Sequence, residues 1–87
     1  MNVIKQIELI KRIDQLVRLK ATGTPLELSD RLHISKTKLY RAINIMRDLG
    51  APIEYDSALQ SFVYIKAVGF QFGFYRQHTN IETAGYA

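Results

Sequence analysis

The chain has 87 residues, enough for one domain with one modest core and too few for two. Apolar residues make up 47% and charged residues 23%, a globular rather than disordered balance, and without cysteine it has no disulfide framework, thiolate metal site or thiol nucleophile. The net charge of +4 is unevenly held: residues 1–50 carry ten Lys and Arg against five Asp and Glu, whereas residues 51–87 carry two against three. A basic half is what a polyanionic partner requires. No apolar run is long enough for a signal peptide or a membrane span, and together with the lack of cysteine this points to a cytoplasmic chain with no membrane partner.

In chain order, Val3, Ile7, Ile10, Ile13 and Val17 recur at three- and four-residue spacings and form one apolar stripe, predicting an amphipathic helix over about Asn2 to Lys20. Leu9 and Leu16 widen the stripe on one flank, read as core rather than a dimer contact. Ala21-Thr22-Gly23 ends it, with Gly23 suited to a left-handed terminal position. Thr24-Pro25-Leu26-Glu27 restarts the chain as a helix: Thr24 caps, Pro25 fits the first turn and Glu27 stands at the capping-box position. This second helix runs to about Leu32 and buries Leu28 and Leu32.

His33-Ile34 is a short connection and Ser35 the next cap. The third helix, Lys36 to about Leu49, buries Leu39, Ile43 and Met46 with Ala42 beside them, and Gly50 and Pro52 stop it. Beyond Pro52 the period changes to that of strands. Ile53 to Tyr55 and Ser61 to Lys66 read as two strands about a turn at Asp56-Ser57-Ala58. Residues 69–75 alternate strictly, placing Phe70, Phe72 and Phe74 on one strand face. That segment reads as a third strand on the sheet and first helix, with a subunit-pairing edge or a stacking platform for single-stranded nucleic acid as competing readings. Residues 1–75 thus form the expected domain and 76–87 a frayed tail. The predicted class is α+β, three helices followed by a small antiparallel sheet.

Two short helices joined by a three- or four-residue turn, the second opening with a cap and lysines, is the layout of a helix-turn-helix. With Leu39, Ile43 and Met46 gripping the core, Thr37, Arg41 and Asn44 fall on the opposite face, with Lys38 and Tyr40 on its flanks and Lys36 in the first turn. Those side chains suit duplex DNA. Arg41 or a lysine can donate to guanine, Asn44 can pair with adenine at two points, and the Thr37 methyl can meet that of thymine. Tyr40, the Ser35 hydroxyl and the helix N-terminus suit phosphate. An ordinary solvated face mixes signs, yet no acid lies between Asp30 and Asp48.

The run from Leu28 to Ile43, LSDRLHISKTKLYRAI, resembles the LAxxLxVSxRTxYRDI core of bacterial winged helix-turn-helix domains that open DeoR-like and WYL-type transcriptional regulators. Met46 to Tyr55, MRDLGAPIEY, is similar to that family's LRxxGxPIxY passage into the wing. The resemblance spans residues 3 to 66. It implies a sequence-specific double-stranded DNA-binding module, with the residues matching Lys36, Thr37, Lys38, Tyr40 and Arg41 facing DNA and no cofactor or small-molecule site. Family wings carry a base at the hairpin tip; Asp56-Ser57-Ala58-Leu59-Gln60 has none, which leaves Ser57 and Gln60 for any contact there. Family regulators continue into a sensor or oligomerisation domain, so the likeness is to a stand-alone module or a fragment. A homodimer on a palindromic site is the expected assembly. The rival reading is a winged helix that meets a protein partner and has no DNA affinity. Catalysis is not expected, because His33 and His78 have no carboxylate at ligand spacing and no glycine-rich phosphate loop follows a strand.

Overall fold

A computed structural model describes residues 2–69, which form three helices followed by a two-stranded antiparallel sheet, an α+β arrangement. Helices α1 (Val3–Arg18), α2 (Pro25–Leu32) and α3 (Lys36–Asp48) precede strands β1 (Ile53–Asp56) and β2 (Ser61–Tyr64). The second strand therefore stops two residues short of Lys66. The expected third strand beyond Gly69, the tail and His78 lie outside the described residues. Among the described residues no helix is long and apolar enough to cross a membrane.

Each helix starts on a side-chain oxygen that takes up an otherwise orphaned amide. Asn2 Oδ1 accepts from Lys5 N–H at 2.8 Å, and Ser35 Oγ from Lys38 N–H at 3.1 Å. At α2 the capping is reciprocal: Thr24 Oγ1 accepts from Glu27 N–H at 3.2 Å while Glu27 Oε1 accepts from Thr24 N–H at 2.8 Å. The Thr24 backbone bond, and then its hydroxyl, holds the Glu27 carboxyl below the usual glutamate value. This stabilisation is present above the unfolded-state pKa and fades as pH falls through the folded one.

All three helices end alike. The residue after the last turn takes a left-handed conformation, and the next N–H reaches back five residues: Ala21 to Leu16 O, Ile34 to Ser29 O and Ala51 to Met46 O. Gly50 (φ +102°) fills the left-handed position at α3 as expected, but His33 (φ +58°) and Lys20 (φ +53°) fill it at the other two. Lys20, not Gly23, thus terminates α1. Gly23 (φ +76°) is needed for a different reason: a Cβ there would stand 2.8 Å from Glu27 Oε1, inside the capping box. Gly23→Ala is expected to cost about 1–3 kcal/mol through the strained backbone and the disturbed cap, lowering the melting temperature by several degrees. A melt of that variant that overlays the parent's contradicts this account of the α1–α2 junction.

The core joins Ile10, Ile13 and Val17 of α1, Leu28 and Leu32 of α2, Leu39, Ala42, Ile43 and Met46 of α3, and Ile53 and Phe62 of the hairpin. The strand register pairs Ile53 with Tyr64 and Tyr55 with Phe62, so these four share the face turned to the helices. Val3 departs from the expected stripe: it stands in solvent, and Ile7 is only half-buried, because the N-terminal half of α1 projects past the core.

Two polar contacts fix the hairpin against the helices. Thr22 and Ser61 are buried together; Thr22 Oγ1 accepts from Phe62 N–H at 2.8 Å, and Ser61 Oγ accepts from Thr22 N–H at 3.2 Å. Asp14, on the buried face of α1, accepts from the Tyr64 hydroxyl at 2.6 Å and from Arg18 Nε at 3.1 Å, and the Arg18 guanidinium lies 5.1 Å from the centre of the Tyr64 ring. These partners offset the desolvation of the Asp14 charge. Burial, and then the bond to Asp14, raises the Tyr64 hydroxyl pKa well above the ordinary tyrosine value, so the phenol keeps its proton and stays a donor.

Candidate functional site

Helix α3 is gripped on one side and open on the other. Leu39, Ala42, Ile43 and Met46 are buried, while Lys36, Thr37, Tyr40, Arg41 and Asn44 are exposed together with the cap residue Ser35. The α2–α3 turn sets the direction in which α3 leaves. His33 reverses the chain in its left-handed conformation, half-buried Ile34 anchors it to the core and Ser35 restarts the helix. Lys36 and Thr37 N–H, in the first turn, lack intrahelical acceptors and carry the positive end of the helix dipole.

Lys38 differs from its neighbours. It is half-buried, and with Arg41 and Ala42 it borders a hollow of about 210 Å³ closed from α1 by Gln6 and Leu9. It thus stands beside α1, at the edge of the exposed face rather than in its middle. Tyr40 marks the opposite edge. Its ring meets Phe62 edge-on, with centroids 6.5 Å apart and planes at 75°, and Tyr55 meets the same ring at 5.1 Å and 68°.

The face is one-signed up to its last turn, where exposed Asp48 stands one turn beyond Asn44. Five cations and no acid lie between Asp30 and Asp48, and among the described residues the Arg18–Asp14 pair is the only salt bridge. Among the described residues, therefore, no acid pairs with Lys36, Lys38 or Arg41. Arg47 is the exception among the α3 cations in having a structural task. Its Nε and Nη2 donate to Ile53 O at 3.3 and 3.2 Å, tying the end of α3 to β1, and Nη1 reaches Asn44 Oδ1 at 3.4 Å. Two-point pairing of Asn44 with a base would have to displace that long contact.

At the hairpin tip Asp56 Oδ1 accepts from the N–H groups of Ala58 and Leu59 at 2.9 and 3.0 Å, and Gln60 takes a left-handed conformation (φ +50°). Asp56 is thus committed to shaping the turn, while Ser57 and Gln60 are exposed.

Arg47 and Tyr55 were not singled out from the sequence. The Arg47 clamp needs Ile53 brought back beside α3, which no local pattern reports. The Tyr55 contact had a signal in the alternation of β1, where residues 53 and 55 share a face. Among the described residues no group of three or more His, Asp or Glu could hold a metal ion. No protein-family model, curated protein or solved structure matches the chain.

Proposed function

We propose that this chain is a winged helix-turn-helix module that binds double-stranded DNA in a sequence-specific way, as part of a transcriptional regulator, with α3 in the major groove and the β1–β2 hairpin as its wing. The observation that carries this reading is the exposed face of α3, which carries no acid before Asp48 in its last turn, opposite a fully buried Leu39-Ile43-Met46 face. An α-helix fits the major groove, and the residues of its first turns reach base edges. On this reading Thr37 and Arg41 meet bases, and Asn44 joins them once its Arg47 contact opens. Lys36, Lys38, Tyr40, Ser35 and the free amides of the first turn bind phosphate. The tip has no cation to place in a minor groove, so the wing contributes little affinity beyond Ser57 and Gln60.

A fluorescence-anisotropy titration of a random-sequence duplex at about 50 and 200 mM salt tests the reading. With about four phosphates neutralised, affinity is expected to fall about 100-fold across that range. Binding that ignores salt, or none at the lower concentration, rejects the proposal in favour of a module that meets a protein partner.

A further inference from the structure

The apolar stripe of α1 does not stop where the core stops. It buries Ile10, Ile13 and Val17, then emerges at its N-terminal end, where Val3 is 67% exposed. Across from it, at the end of α3, Leu49 is 62% exposed. Between them run two adjoining apolar hollows. One, about 110 Å³, is walled by Met46, Leu49, Ala51, Tyr64, Val68 and Gly69. The other, about 260 Å³, is walled by Val3, Gln6, Ile7, Ile10, Ile45 and Leu49, with Leu49 common to both. None of the described residues fills this channel, and a continuous apolar strip is a face shaped for a cover.

We propose that the cover is the chain's own segment 70–75, whose aromatic side docks along the channel. Chain continuity carries the assignment. Val68 and Gly69 are themselves walls of the first hollow, so the described chain ends at that hollow's wall. The Arg18 guanidinium donates to Val68 O and fixes the point from which the segment departs. The segment reads Phe-Gln-Phe-Gly-Phe-Tyr, uncharged throughout, as an apolar channel demands. An extended strand would put its three phenylalanines on one side about 6.6 Å apart, a row of rings suited to a continuous apolar strip. An apolar cavity of about 150 Å³ accommodates one benzene ring, and both hollows are of that order. Because the segment is tethered at the rim, it docks without the loss of translational freedom that a second copy would incur. The inference does not depend on the DNA-binding reading.

A thermal double-mutant cycle in the full chain tests the proposal. Phe72→Ser alone is expected to lower the melting temperature by about 5 °C or more. With Leu49→Ser already present, the same change is expected to cost less than half as much, because the two residues share one contact. Leu49 is exposed among the described residues, so its substitution leaves the core intact. Fully additive shifts, or no shift from Phe72→Ser, overturn the proposal. Methyl–aromatic NOEs provide a reading independent of stability. The assignment predicts phenylalanine contacts to Leu49 and Ile7 methyls within one molecule, at concentrations where sedimentation gives a monomer. Their absence, or their appearance only between differently labelled copies, overturns it.

Discussion

Replacing Phe62 with alanine is expected to remove most of the fold's stability. The ring is buried in the core, Tyr40 of α3 packs edge-on to it, and the residue's own N–H is held by Thr22 of the α1–α2 loop. Truncating a buried phenylalanine costs about 3–5 kcal/mol in transfer and cavity terms. Tyr40 and Tyr55, both packed edge-on to the ring, would lose their platform at about 0.5–1.5 kcal/mol per pair. A domain of this length buries only about 60% of its unfolded surface and has little stability to spare. The expected melt of Phe62→Ala is thus shifted down by 15 °C or more, or is no longer cooperative. Leu59→Ala, at the exposed hairpin tip, serves as the control and should melt with the parent. A Phe62→Ala melt within a few degrees of the parent would mean that the hairpin does not depend on this contact.

The second large effect concerns affinity. Lys36→Ala combined with Arg41→Ala is expected to weaken duplex binding about 100-fold or more while moving the melting temperature by less than about 2 °C. Both side chains are exposed, and neither has a salt-bridge partner among the described residues, so their loss leaves the fold's own contacts in place. A base contact is worth about 1–3 kcal/mol, and a phosphate contact adds its share of counterion release. The comparison that gives this meaning is Lys11→Ala with Arg12→Ala on the exposed side of α1. It removes the same formal charge and is expected to cost less than about fivefold, through long-range attraction alone. Equal losses from the two pairs would show that net charge matters and the α3 face does not.

Much of this architecture was legible in the sequence because its signals are local. Thr24 with Glu27, and Ser35, mark helix starts through a side chain that reaches only three residues along the chain. The faces of α2 and α3 follow from periodicity, as does the exposure of Thr37, Arg41 and Asn44. What escaped depends on partners far along the chain. Asp14 carries no local sign of its burial, because the Tyr64 hydroxyl that partners it lies fifty residues on. Thr22 and Ser61 become a buried pair only when the hairpin closes on the α1–α2 loop. Periodicity places Lys38 on the flank of the open face, but that Gln6 and Leu9 of α1 stand beside it is not a local signal. Gly23 misled for a subtler reason. Its positive φ was foreseeable, but the residue closing α1 is Lys20, which accepts the left-handed strain because two backbone hydrogen bonds compensate it.

The claim on which the functional reading rests is that the open side of α3 is the surface that meets DNA. An amide NMR titration of the labelled full chain with a short duplex tests it most directly. The account predicts that the largest shift changes fall on residues 35–44, with the buried face of α1 unmoved. Changes concentrated on the outer face of α1 or around Leu49, with residues 35–44 unperturbed, would contradict it.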